Sequence, residues 1–247
     1  MKIVAANWKM NKGVKETDEF FKEYGALVKG KKITNKVIIC PSFTSIAAAL
    51  EWGKKNGVSI GAQNVHNAAS GTFTGEINAA MLKETGIAYV IVGHSDRRAM
   101  NGETDELVGE KVRAVVAAGM IPILCCGENL SERQKNKSEE VVKKQLLACL
   151  SGLDKSAKLI IAYEPIWAIS KGDGVGPVAT DEMISQMHQM IKEFVADVFV
   201  GVAPPLLYGG SVNEKNAKEV GSIEGVDGFL VGGAALCPKR FSGIVLS

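Results

Sequence analysis

Ile3-Val4-Ala5-Ala6-Asn7-Trp8-Lys9 is a short apolar run, too brief for a helix, that ends at once in an amide, an indole and an ammonium. An open, doubly wound parallel sheet usually carries a GxGxxG turn after its first strand. Here that turn is Asn7-Trp8-Lys9, without a glycine. Polar groups at the tip of a first buried strand suit a parallel barrel, whose C-terminal strand ends carry the reacting side chains.

Similar apolar runs recur outward from this stretch: Val37–Cys40, Val58–Ala62, Tyr89–Val92, Ile121–Cys126, Leu159–Ala162, Leu206–Tyr208 and Gly228–Val231. They show little polar alternation, as expected for strands covered on both faces. Most are separated by amphipathic stretches long enough for a crossover helix. In Asp181–Val195 the residues Met183, Ile184, Met187, Met190, Ile191 and Phe194 fall at helical spacing and read as core contacts. Asp105–Ala118 and Ser138–Leu150 share that period, and Gly119 is a C-terminal stop. Eight alternations of strand and helix predict an α/β fold whose right-handed crossovers close a single-domain (β/α)8 barrel over residues 1–247. No linker or low-complexity segment interrupts them.

The chain has 247 residues, 46% of them hydrophobic, enough for one large core, and α/β barrels commonly reach this length as one domain. A formal charge of +2 with interspersed signs gives no electrostatic footprint for nucleic acid. No apolar run approaches the roughly 18 residues of a membrane span, and the N-terminus enters a strand without a signal-peptide core. The five cysteines lack metal-ligand spacing, and Cys125-Cys126 lies inside a strand, where thiols act as small hydrophobes. A reduced, cytoplasmic setting is expected.

Two other strands end as the first does. Gly93-His94-Ser95-Asp96-Arg97-Arg98 follows Tyr89–Val92, and Tyr163-Glu164 follows Leu159–Ala162. Each residue alone has an ordinary explanation: a solvated lysine, a structural histidine, a carboxylate capping a turn. Together, Lys9, His94 and Glu164 occupy corresponding ends of three strands. Of the chain's 3 histidines, His66 in a polar loop and His188 in an amphipathic helix read as structural. Gly209-Gly210-Ser211 and Gly232-Gly233 follow the seventh and eighth strands, the common phosphate site of such barrels, where glycine lets bare N–H groups surround an anion. A carboxylate, an imidazole, a lysine and a phosphate cradle suit proton transfer α to a carbonyl. A Schiff base on Lys9 is the nearest chemical rival. Metal-assisted hydrolysis has little support, because His and acidic residues do not cluster, and neither metal nor cofactor is expected.

Over essentially its full length the chain resembles the triosephosphate isomerase family. The matching stretches are Asn7-Trp8-Lys9-Met10, Gln63-Asn64-Val65, Phe73-Thr74-Gly75-Glu76, Gly93-His94-Ser95, Cys125 with Gly127-Glu128, Ala162-Tyr163-Glu164-Pro165, Tyr208-Gly209-Gly210-Ser211 and Asp227–Ala234. The resemblance implies a glycolytic and gluconeogenic isomerase that interconverts dihydroxyacetone phosphate and D-glyceraldehyde 3-phosphate without a cofactor. It assigns Glu164 as base, His94 as neutral electrophile, Lys9 as electrostatic stabiliser and Asn7 as the orienting amide. Ser95 would hold the base before ligand arrives, and Asp96 would position Lys9. Ser170, Ser211, Gly232 and Gly233 would meet the phosphate. A homodimer is implied, with Ala68–Glu76 docking into the partner so that Phe73 and Thr74 reach the site around Asn7 and Lys9.

Three departures modify these expectations. Asp96 replaces the family's glutamate, which predicts a loosened Lys9. The loop Pro165–Ala179 is lengthened, with Ser170 in place of a glycine, which predicts looser closure and more methylglyoxal. Pro204-Pro205 stands where the family has an arginine before the strand, read only as compensation for the longer loop. A phosphate-binding barrel or scaffold with impaired catalysis, and another small phosphosugar isomerase, are the alternatives.

Overall fold

The computed structural model describes residues 1–169, 179–201 and 203–247. Eight parallel strands close a barrel in sequence order: β1 (Ile3–Asn7), β2 (Lys36–Cys40), β3 (Ser59–Ala62), β4 (Tyr89–Val92), β5 (Ile121–Cys126), β6 (Ile160–Tyr163), β7 (Leu206–Tyr208) and β8 (Gly228–Val231). β1 pairs with both β2 and β8, which completes the ring. The expected strands are all present, and the differences lie at their ends. β1 runs on through Asn7, in register with Cys40, and β6 is displaced by one residue to end at Tyr163, opposite Cys126. The long helix extends to Val198, three residues past Val195, where the stretch read from sequence ends.

Side-chain alternation along the strands explains both the core and the site. Ala5, Ile38, Ile91, Ile123, Ala162 and Leu207 belong to the cluster inside the barrel. Their neighbours Val4, Val37, Val90, Leu124, Ile161 and Tyr208 face outward into the larger layer between strands and helices. Two residues beyond Ala5 and Ala162 the same period brings Asn7 and Glu164 to the barrel mouth. Trp8, with the opposite phase, is fully buried in the outer layer, edge-on to Phe20 at 4.8 Å between ring centroids. Burying an indole of this kind contributes on the order of 4–6 kcal/mol by its apolar area, so the strand end that carries Asn7 and Lys9 is firmly held.

Pro204-Pro205 leads into β7 at the N-terminal end of the barrel, and Ile161 N–H donates to the Pro205 carbonyl at 3.0 Å. The loop that begins at Pro165 leaves the opposite end. The pair and the start of that loop are therefore separated by the length of the barrel.

Candidate active site

The C-terminal mouth of the barrel holds a cleft of about 140 Å³. Asn7, Lys9, His94, Glu164, Gly232 and Gly233 line it, so six of the residues singled out from sequence come together there. Ser170 and residues 171–178 lie outside the described residues, and with them most of the lengthened loop.

Lys9 has a left-handed backbone, φ +53, unusual for a residue with a side chain. Two amides hold it there: its N–H donates to Asn7 Oδ1 at 3.0 Å, and its carbonyl accepts from Gln63 Nε2 at 2.9 Å. Gln63 Nε2 also donates to the Cys40 carbonyl at 3.0 Å, tying the ends of β1, β2 and β3 together. Because Asn7 Oδ1 is occupied by Lys9, its Nδ2 is the atom left to donate into the cleft. Lys9 Nζ pairs with Asp96 Oδ2 at 3.0 Å. The shorter aspartate thus still reaches the ammonium. Arg97 and Arg98 play no part in this, being held by Glu103 and Asp105 respectively.

His94 reaches the mouth because Gly93 breaks the strand at φ +69; a Cβ there would fall 2.6 Å from Val108 Cγ1. His94 then caps the helix Ser95–Asn101, its Nδ1 accepting the Asp96 N–H at 3.0 Å. An imidazole that accepts at Nδ1 carries its proton on Nε2, and Nε2 lies 3.1 Å from Glu164 Oε1. Burial disfavours the imidazolium, but the Glu164 carboxylate outweighs it through charge and hydrogen bond, and the net direction of the ring's pKa is up. The hydrogen-bond geometry opposes a second proton all the same: on Nδ1 it would face the Asp96 N–H at 3.0 Å, nearer than the Asp96 carboxylate at 3.5 Å, and the positive end of a helix. The ring is therefore neutral here, in the Nε2–H form.

Glu164 is buried, with Oε2 accepting the Ser95 N–H at 3.3 Å. Burial raises its pKa, but the His94 and Ser95 donors outweigh it and the net direction is down. Gly209 makes room for this side chain, since a Cβ there would lie 2.7 Å from Glu164 Cγ. The segment around Glu164 is fixed from behind by Glu128, which is fully buried and accepts from Tyr163 Oη at 3.0 Å, Trp167 Nε1 at 2.9 Å and Arg133 Nη1 at 3.0 Å. Ser211 is turned toward this segment: its N–H and its hydroxyl both donate to the Ala168 carbonyl, at 3.1 and 2.9 Å.

Sequence reading gave no role to Gln63 or Glu128, although both sit in stretches quoted for the resemblance. An amide one residue past the end of β3 and a carboxylate two residues past the end of β5 were the available signals. The left-handed Lys9 had no sequence signal, since lysine carries no marker of φ.

A closed (β/α)8 barrel whose C-terminal mouth gathers a carboxylate, a neutral imidazole and an ammonium belongs to the class of barrel enzymes that work by acid–base chemistry at strand ends. The family model described as Triosephosphate isomerase matches residues 2–247. A protein named triosephosphate isomerase from Clostridium botulinum (strain Okra / Type B1) is 45% identical over 248 residues, covering 98% of each chain. Namesakes from Aquifex aeolicus (43%) and Dictyoglomus thermophilum (42%) each cover 100% of this chain and 99% of their own. The chain belongs to the triosephosphate isomerase family.

Proposed function

We propose that the whole chain acts as one catalytic barrel that interconverts dihydroxyacetone phosphate and D-glyceraldehyde 3-phosphate through an enediolate, with Glu164 as the base. The observation that carries this reading is the Glu164–His94 contact at 3.1 Å. In the arrangement described, the His94 Nε2–H and the Ser95 N–H stabilise the carboxylate and weaken it as a base. A substrate carbonyl entering the cleft competes for the same Nε2–H. When Glu164 gives up these donors to reach the substrate carbon, its proton affinity rises at the moment it must take a proton. His94, still neutral, then polarises the carbonyl and passes a proton between the two oxygens. Lys9 stabilises the developing negative charge, held in place by Asp96, and the Asn7 amide orients the substrate.

The phosphate lies against Gly232 and Gly233 on the cleft wall. Ser211 joins them once its N–H leaves the Ala168 carbonyl, which couples phosphate binding to a movement of the segment after Glu164. Ser170 would approach from the other side.

The active form is a homodimer in the cytoplasm, and the loop Ala68–Glu76 supplies the contact. That loop is exposed on the single chain, with its base closed by the His66 N–H to Ile77 carbonyl bond at 2.8 Å. Phe73 is 48% exposed, and its ring lies tilted against that of His66 at 4.2 Å between centroids. Phe43, Ile46, Leu50, Ile77 and Met81 line an apolar groove. A second copy of the chain covers both surfaces, and Phe73 and Thr74 complete the partner's site. No helix among the described residues is long and apolar enough to cross a membrane.

A coupled assay for glyceraldehyde 3-phosphate formation, run beside a panel of other small phosphosugars, tests the reaction: turnover confined to the trioses is expected. Binding of phosphorylated ligands with background turnover would support the scaffold alternative. Sedimentation of the intact protein and of a chain shortened within Ala68–Glu76 tests assembly, and an active intact monomer would contradict it.

A further inference from the structure

At the N-terminal end of the barrel, opposite the cleft, lies a second cavity, of about 510 Å³. That is within the usual range for small-molecule pockets, roughly 300–1,000 Å³. Its floor is apolar and comes from the first residues of four strands, Ile3, Tyr89, Ile121 and Ile160. Pro204 and Pro205 form one wall, and their short rings cannot extend across the opening. At the rim, Val200 and Met1 leave apolar surface in water, 71% and 93% exposed.

Three lysines surround this apolar space: Lys36, Lys155 and Lys158. No aspartate or glutamate is among the described residues that line it. None of the three forms a salt bridge among the described residues. Lys36 is partly buried, and its Nζ stands 5.9 Å from the centre of the Tyr89 ring, over the floor. Lys155 and Lys158 are exposed, on the segment before β6, whose Lys155 carbonyl accepts the Val200 N–H at 3.1 Å. Uncompensated ammonium groups around a low-dielectric cavity attract an anion more strongly than the same groups on an open surface. An inorganic anion would leave the apolar floor wet, whereas a neutral hydrophobe would leave the ammonium groups unpaired.

We propose that this cavity is a binding site for an amphipathic monoanion, an aryl or short acyl chain bearing one carboxylate or sulfonate. Its apolar body packs on Tyr89 and Pro205, and its acidic group sits among Lys36, Lys155 and Lys158. The site is separate from the catalytic cleft and takes ligands of a different class.

The test is fluorescence titration of the intact protein with 1-anilinonaphthalene-8-sulfonate, compared with N-phenyl-1-naphthylamine, which has the same rings and no charge. Saturable binding of one sulfonate per chain is expected, weakening with added salt, and tighter than the neutral analogue. Lys155→Glu combined with Lys158→Glu should weaken the sulfonate about tenfold or more, from two exposed charge contacts, with isomerase activity unchanged. Lys158→Gln alone, a milder change at an exposed position, should weaken it severalfold and serves if the double variant loses its native circular dichroism. Absent saturation, equal binding of both dyes, indifference to the lysine changes, or displacement by glycerol 3-phosphate, which would place the dye in the cleft, would each overturn the proposal.

Discussion

Lys9 Nζ and Asp96 Oδ2 stand 3.0 Å apart across the mouth of the barrel, joining the end of β1 to the helix after β4. Asp96 also supplies the N–H that occupies His94 Nδ1. One short residue thus sets the position of the ammonium by its side chain and the tautomer of the imidazole by its backbone.

Because the backbone contact survives the change, Asp96→Asn should leave the tautomer intact while removing the carboxylate that pairs with Lys9 Nζ at 3.0 Å and lies 3.5 Å from His94 Nδ1. The pair is about one-third to one-half exposed, so its loss is worth ~1 kcal/mol or less in stability. A severalfold fall in kcat/KM is expected in the coupled assay, with an unchanged unfolding midpoint. Asp96→Glu should be neutral or harmful, since the pair is already formed. A clear gain in that variant would show that aspartate holds Lys9 poorly.

Gly209 and Glu164 give a steric test. An alanine at position 209 would place its Cβ 2.7 Å from Glu164 Cγ and 3.2 Å from the Tyr163 carbonyl oxygen. The carboxylate side chain must move, and misplacing a catalytic group by ~1 Å can lower rates about 100-fold. Gly209→Ala should therefore reduce kcat by one to two orders of magnitude. Near-normal turnover would mean that Glu164 does not depend on the position described.

His188 links the long helix to β6 and β7 and confers a pH dependence on stability. Its Nδ1 lies 3.1 Å from the Gly225 carbonyl, its Nε2 is buried without a partner among the described residues, and burial lowers its pKa to about 4. A histidine of ordinary pKa in the unfolded chain binds a proton first as pH falls, so the unfolded state gains. The contribution is intact above about pH 6.5 and is lost progressively down to pH 4, reaching about 3 kcal/mol, of which ~1 kcal/mol has gone by pH 5.5. Urea unfolding at fixed protein concentration, at pH 7.5 and 5.5, checks this, and His188→Gln should flatten the difference. An equal slope in both proteins would assign it to other groups.

Much of this site was legible from strand ends. Asn7 and Glu164 follow from alternation, since two steps past an inward alanine must also point inward. His94 could be placed at a strand end, but its entry into the mouth depends on the left-handed Gly93. That Asp96 reaches Lys9 was not legible from side-chain length, because the approach of the two strand ends sets the gap. Ser211 was placed correctly after β7. Its engagement with Ala168 depends on a contact between residues 43 apart, which no local pattern encodes. Pro204-Pro205 was placed correctly before β7, and a residue before a parallel strand lies opposite the loops that follow such strands.

The most direct test of the account is turnover by Glu164→Asp. The substitution keeps the carboxylate and retracts it by about one bond length, or somewhat over 1 Å, from the reach that both His94 and the substrate carbon require. With native circular dichroism, the account predicts a kcat lower by about 100-fold or more and a KM that changes little. Turnover within a few fold of the unaltered protein would contradict Glu164 as the base.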